Sequence, residues 1–313
     1  MRVSVVGCGA IGSLFAANLA QLEDVEVWAY DPWVEHVRAI NEHGLRLSGA
    51  GEVVGRVRAT SDPAALPASD FGIVAVKSIH TREAIAATAH AFREGAVCSV
   101  QNGAGNEEII AEFVREVIRG TTFPAGHVAG PGHVVWDTKG DTHIGPFEPS
   151  PAPMEKVRTL AEACTRAGMP THALEDARGA QWRKLIFNAA SNAIGALTGM
   201  THGQIAEFPP THALARAVMA EGRAVADAQG IVLDMSPEEL FDYAARKDVA
   251  YWHKPSMLQD VEAGRDTEID FLNGAIVSFG QRYGVDAPLN EALTALVKGI
   301  EERRRMAGDR ESG

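Results

Sequence analysis

Apolar and polar positions follow two different rhythms along this chain. In the first part, short apolar runs alternate with segments of helical spacing. Val3–Val6 is a β-branched run suited to a buried parallel strand, and residues 13–22 continue with helical periodicity. VEVWAYD (25–31) alternates as a second strand. FGIVAVK (71–77) and AVCSVQNG (96–103) are further buried-type runs, followed by the helical segments SIHTREAIAATAHAF and GNEEIIAEFV. Such alternation predicts an α/β fold with a doubly wound parallel sheet. Between 120 and 147, glycine turns separate short segments such as HVVWDT and THIGPF, which predicts antiparallel strands completing the domain. Residues 152–167 read as a helix and PTHAL as a short strand. Past Glu175 the strand signals vanish, and helical spacing covers 176–198, 211–229, 236–250, 255–264, 267–283 and 288–306. The predicted organisation is an N-terminal α/β domain over 1–170 and an all-helical second domain over 171–313, with the boundary near 168–176. The terminal GIEERRRMAGDRESG, with both signs of charge, reads as a fraying helix end.

The first turn of this pattern carries chemistry. GCGAIG, between the Val3–Val6 strand and the next helix, has glycines at 7, 9 and 12. Gly7 permits a tight turn, Gly9 lets the backbone approach a pyrophosphate, and Gly12 lets helix and strand pack closely. The helix N-terminus then offers free N–H groups and its positive dipole end to the phosphates. Asp31 ends the second strand, 19 residues after Gly12. An acidic residue near that spacing hydrogen-bonds the adenosine ribose in NAD-binding Rossmann folds. An Asp capping the following helix fits the same geometry. Together these features predict a dinucleotide site. Ligands of open α/β sheets bind beyond the carboxyl ends of the strands, where Lys77 and Asn102 stand.

A second conspicuous stretch is KLIFNAASN, residues 184–192. Lys184, Asn188 and Asn192 fall four apart among apolar or small residues, so a helix stacks them on one face. The bland alternatives are a snorkelling lysine and solvent-facing or helix-terminal asparagines; spacing alone does not choose between them.

Composition narrows the partners. The net charge of −12, from 29 basic and 41 acidic residues, argues against nucleic acid or an anionic membrane surface. Cys8, Cys98 and Cys164 form no CxxC pair, so reduced thiols and a cytoplasmic setting are expected, with neither a disulfide framework nor a zinc site. The histidines lack metal-ligand spacing, and no metal is expected. No apolar run reaches membrane-spanning length. The N-terminus superficially mimics a signal peptide, but its glycines belong to the dinucleotide motif.

In chain order, GCGAIG, VAVKS, QNGAGNEE, THIGPF, WRKLIFNAASNAIGALTG and KPSMLQDVEAGRDTEIDFLNG resemble the ketopantoate reductase family, over residues 2 to about 300. The resemblance implies a Rossmann domain followed by a helical domain, with the active site in the cleft between them. It implies that Lys184 is the general acid protonating the substrate carbonyl oxygen as hydride arrives from the nicotinamide. Asn188, Asn192 and Ser256 match substrate-binding positions; a serine there is also a good helix N-cap. Glu268 matches a glutamate that contacts the cofactor and supports the active site; its bland alternative is a capping-box residue. Lys77 and Asn102 match positions near the nicotinamide, Asn102 also near the substrate. Ala125 matches a backbone contact to the cofactor, and Gly7, Cys8, Gly9, Ala10, Ile11 and Gly12 supply the phosphate loop.

Two departures from the family pattern matter. Familiar NADPH-dependent members carry an arginine near the end of the second strand, whereas this chain has Asp31-Pro32-Trp33, with His36 and Arg38 the nearest basic residues. A carboxylate repels a 2′-phosphate, so NAD(H) is the expected cofactor and NADP(H) the alternative. His202 and His253 stand where those members carry asparagines. Three functions follow: reduction of a 2-keto acid, with ketopantoate the leading substrate; an NAD-dependent D-2-hydroxyacid dehydrogenase for another branched or aromatic 2-keto acid; and a non-catalytic dinucleotide sensor, which would need no proton donor. The partner implied is a small-molecule 2-keto acid. The oligomeric state is left open, a homodimer among the options.

Overall fold

The computed structural model of the chain describes residues 1–311. Two compact units emerge, Met1–Gln101 with Asn106–Ala177, and Asn102–Gly105 with the residues from Arg178 onward. In the first unit, β1 (Arg2–Val6) leads through α1 (Ala10–Leu19) to β2 (Glu26–Tyr30), α2 (Val34–His43), β3 (Leu45–Gly49), β4 (Val53–Gly55) and β5 (Arg58–Thr60). The alternation continues with β6 (Phe71–Val74), α3 (Thr81–Thr88), β7 (Ala96–Ser99), α4 (Asn106–Ala111) and β8 (Glu116–Thr122). It closes with β9 (Ala125–Gly130), β10 (His133–Thr138), β11 (Thr142–Pro146), α5 (Met154–Arg166) and β12 (Thr171–Ala173).

Eight strands form the main sheet in the order β12-β11-β8-β7-β6-β1-β2-β5. From β5 across to β8 all neighbours are parallel, and β11 then pairs antiparallel with β8. The chain winds outward through β2 and β5, returns to β6 beside β1, and winds the other way. That reversal puts a topological switch point between β1 and β6, where open α/β sheets bind ligands. β6 and β7 are buried throughout and β1 nearly so, hence their continuous apolar runs.

The sequence-based expectations meet several corrections here. A second sheet, β4-β3-β10-β9, contains two strands that the apolar pattern did not predict. β9 and β10 are antiparallel as expected, but β10 lies parallel to β3. β3, β4 and β5 span five, three and three residues, too short to establish a period. The helix expected over 78–92 resolves into α3 between two 3-10 turns; the strand read at PTHAL is β12, paired with β11, and the first unit runs to Ala177, beside the boundary expected near 168–176.

The second unit contains only helices among its described residues. They are α6 (Arg178–Thr198), α7 (His202–Glu207), α8 (Pro209–Ala228), α9 (Pro237–Ala244), α10 (Ser256–Glu262), α11 (Asn273–Tyr283) and α12 (Pro288–Glu311). Central α6 buries Trp182, Leu185, Ile186, Ala189, Ala193 and Ile194 in a core shared with Met219, Ile276 and Val297. α7 escaped the sequence pattern at only six residues; its signature is a capping box, Thr201 with Gln204. Pro209 opens α8 from the first-turn position where its missing N–H costs nothing. The helix expected over 236–250 stops at Ala244, and that over 267–283 divides into the 3-10 turn Ile269–Phe271 and α11. α12 extends to Glu311 where fraying was expected; the last two residues of that tail lie outside the described residues. Among the described residues, no helix is long and apolar enough to cross a membrane, and no His/Cys/Asp/Glu cluster has metal-binding geometry. The three cysteines are buried and unpaired.

Candidate active site

In the first unit, the glycine loop joins the carboxyl end of β1 to α1. The Gly7 N–H donates to the Tyr30 carbonyl at 2.8 Å, tying the ends of β1 and β2 together. Gly7 has φ +90°, and a Cβ there would stand 2.5 Å from Val76 Cγ1. On Gly12 a Cβ would lie 1.9 Å from the Gly7 carbonyl oxygen, so helix and strand meet too closely for any side chain. At Gly9 it would meet nothing within 4 Å. Gly9 is also the N-cap of α1, with no side-chain cap and no acidic residue in the first turn, which Ala10 and Ile11 open. Open space over uncapped helical N–H groups, with a positive dipole end, fits a pyrophosphate.

Asp31 spans this loop. One carboxylate oxygen accepts the Cys8 N–H at 2.8 Å, and the other accepts the Trp33 N–H at 2.9 Å. The acid therefore faces the glycine loop, where it fits a ribose. The Cys8 thiol is pushed up to about 12 by burial, with Ser13 beside it, so Cys8 serves through its backbone. His36, counted above among the nearest basic residues, is buried, and its Nδ1 accepts the Gly132 N–H at 3.0 Å. Burial lowers its pKa, so it is no phosphate-binding cation, and exposed Arg38 is the basic residue of α2 next in sequence to it.

Lys77 stands three residues beyond β6, at the N-cap position of the 3-10 turn Ser78–His80. Behind it runs a buried polar chain that sequence reasoning missed. Gln101 Nε2 donates to the Val76 carbonyl at 2.9 Å and to Thr81 Oγ1 at 2.7 Å. Thr81 donates to Asn106 Oδ1 at 2.8 Å, and Asn106 Nδ2 to Ser78 Oγ at 3.3 Å. These bonds fix the loops after β6 and β7. Isolated polar letters gave no spacing signal; QNGAGN at a strand end was the only hint. Half-buried Ala125 opens β9.

The helical unit gathers the Lys184 stripe. The loop Asn102–Gly105 belongs to this unit: the Ala104 N–H donates to the Phe271 carbonyl at 3.0 Å, and Gln181 Nε2 to the Gly103 carbonyl at 3.3 Å. This anchoring lets Asn102 Oδ1 accept from Lys184 Nζ at 2.8 Å. Burial drives the Lys184 pKa down to about 8, and the Glu268 carboxylate opposes that fall. Glu268 is buried and provides no side-chain cap to the 3-10 turn it precedes, so the capping-box alternative does not hold.

Further along α6, Asn188 is 8% exposed, yet its amide makes no hydrogen bond within the described residues. Asn192 Oδ1 accepts the Ser256 hydroxyl at 3.0 Å and the Met257 N–H at 2.9 Å. Asn192 thus caps α10, and Ser256 is the first residue of α10, not its N-cap. Beside them, the His202 ring is stacked between Phe187 at 5.5 Å and His253 at 5.8 Å. Burial, then the neighbouring His253, push its pKa down to about 3, so His202 stays neutral.

Residues 3–149 match the family model described as ketopantoate reductase PanE/ApbA, and 176–301 match its C-terminal model. The chain belongs to the ketopantoate reductase family. The 2-dehydropantoate 2-reductase of Pyrococcus abyssi is 37% identical over 304 residues, covering 96% of this chain and 98% of the relative. A PanE/ApbA family ketopantoate reductase from Ralstonia eutropha JMP134 superposes with TM-score 0.86 at 33% identity, covering 97% of this chain and 100% of that one. D-mandelate dehydrogenase with NADH and anilino(oxo)acetate superposes with TM-score 0.88 at 26% identity, with the same coverage. As a family member, the chain is an oxidoreductase whose Rossmann-type domain takes a nicotinamide dinucleotide.

Proposed function

We propose that this chain reduces 2-dehydropantoate to pantoate in the cytoplasm, with NADH as the preferred reductant. One observation carries the reading: Lys184, its pKa lowered to about 8, is 2.8 Å from Asn102 and heads a row of amides on a buried helix. A pKa near working pH suits a general acid. Bound nicotinamide supplies the hydride to the carbonyl carbon. As the carbonyl π pair moves onto oxygen, Lys184 Nζ stabilises the growing negative charge and gives up its proton, leaving a neutral amine. Half-buried Lys184 regains a proton from solvent. Asn102 holds Nζ in place, and Glu268 favours its ammonium form. The unpaired Asn188 amide and the Ser256 hydroxyl orient the substrate without a competing charge. Lys77 lines the nicotinamide end of the cofactor, and Ala125 contacts it through its backbone.

A second reading, an NAD-dependent D-2-hydroxyacid dehydrogenase for another side chain, is favoured by the Phe187–His202–His253 ring stack and by the likeness to D-mandelate dehydrogenase. The test is NADH and NADPH consumption with 2-dehydropantoate, phenylglyoxylate and branched 2-keto acids. Highest kcat/KM with 2-dehydropantoate and NADH is expected. Preference for phenylglyoxylate or a branched acid selects the second reading. Tight NADH binding without turnover on any acid overturns both in favour of a sensor.

A further inference from the structure

Beside Asp31 stands an aromatic ring with no role in the chemistry above. Trp33 is 41% exposed, an unusual position for so large an apolar side chain. Its position is nevertheless fixed. Its backbone N–H is bound by Asp31, and its indole lies parallel to the His36 ring, 5.1 Å between centroids at an interplanar angle of 8°. His36 beneath it is 1% exposed and anchored through Nδ1 to the Gly132 N–H at 3.0 Å. A neutral imidazole under the indole adds no charge, leaving a flat, hydrophobic outer face. The same Asp31 carboxylate reaches the glycine loop through Cys8. A ribose held at Asp31 therefore carries its base within reach of residues just beyond β2, and Trp33 is the exposed ring there.

We propose that Trp33, backed by His36, is the stacking platform for the adenine of the dinucleotide. A purine laid on the indole exchanges two wet apolar faces for one dry contact. Base–aromatic stacking of this kind contributes roughly 5- to 100-fold in affinity. Stacking is blind to the 2′-position, so Trp33 strengthens NADH and NADPH alike, while Asp31 discriminates between them.

The test compares NADH with reduced nicotinamide mononucleotide, which lacks the adenosine half. Trp33→Ala is expected to raise KM for NADH about tenfold or more, to leave kcat at saturating NADH unchanged, and to leave kcat/KM for the mononucleotide unchanged. Trp33→Phe is expected to recover most of the loss. An unchanged KM for NADH overturns the proposal. Equal losses with both cofactors overturn it as well, since the ring then acts by supporting the fold. If the alanine variant does not fold, AMP titration of the wild type and of Trp33→Phe decides: quenching of tryptophan fluorescence in the wild type, absent in Trp33→Phe, supports the platform, and equal quenching in both removes it.

Discussion

Lys184 illustrates how one residue's surroundings set its use. Its side chain is ordinary in sequence, but burial lowers its pKa to about 8 from 10.5, and Glu268 resists the fall. In the proposed reaction Lys184 must start as the ammonium, so reductive kcat/KM is expected to fall as pH rises through about 8. Glu268→Gln removes the opposing carboxylate and is expected to move that alkaline limb to lower pH; a pH–rate profile of both proteins checks the direction. For stability the sign is opposite: the native state binds fewer protons than the unfolded chain between the lowered and the ordinary lysine pKa. This group's contribution therefore rises with pH across that window and is least favourable below it. The two amides separate structure from function. Among the described residues Asn188 makes no hydrogen bond, so Asn188→Ala is expected to raise KM for the keto acid and leave the thermal midpoint nearly unchanged. Asn192→Ala removes the acceptor for Ser256 and Met257, and is expected to raise KM and also cost about 1 kcal/mol, as lost helix caps do. Asp31 is expected to set cofactor choice. Two like charges about 4 Å apart near a surface repel by roughly 4 kcal/mol before screening, and a third of that gives about tenfold discrimination. Higher kcat/KM with NADH than NADPH is expected, narrowing in Asp31→Ser. Adding His36→Arg to that variant is not expected to improve NADPH binding, because His36 is buried and bonded to the Gly132 N–H.

At the scale of elements, the glycine loop makes different predictions for two nearby positions. A methyl on Gly12 meets the Gly7 carbonyl at 1.9 Å, so Gly12→Ala must push α1 off β1 and is expected to lower both stability and cofactor binding. A methyl on Gly9 meets nothing, so Gly9→Ala is expected to cost less than about 1 kcal/mol of stability while occupying the space the pyrophosphate needs. Thermal midpoints paired with NADH dissociation constants distinguish the two. The main parallel strands and the long helices were legible because buried elements of sufficient length repeat their period. The short strands β3–β5 and the six-residue α7 were not, because three to six residues are too few to establish a period. The site was legible by halves. The glycine motif and the stripe on α6 show their spacing, whereas Gln101, Thr81 and Asn106 converge only after folding. Asn192 as the cap of α10 likewise needed the tertiary contact, 64 residues away in sequence from Ser256.

At the scale of the whole molecule, each unit has its own core, and the proposed function gives each one kind of work. In that proposal the parallel-sheet unit offers backbone N–H groups and Asp31, and the helical unit offers Lys184 as proton donor together with its amides. The dividing line was expected near 168–176, with strand signals vanishing past Glu175, and the sheet unit, β12 included, runs to Ala177. Less foreseeable was that Asn102–Gly105, four residues at the end of a strand of the sheet unit, group with the helices. Their backbone bonds run to Phe271 and Gln181, which no local pattern announces. This division of work means that chemistry and cofactor binding should fail separately. The most direct test is steady-state NADH oxidation on 2-dehydropantoate by the wild type and Lys184→Ala, with NADH affinity measured on both. The expected result is a loss of about 100-fold or more in kcat, the usual worth of positioned proton transfer, with the NADH dissociation constant nearly unchanged. Near-normal turnover in Lys184→Ala would contradict the account, leaving the stripe on α6 a structural feature.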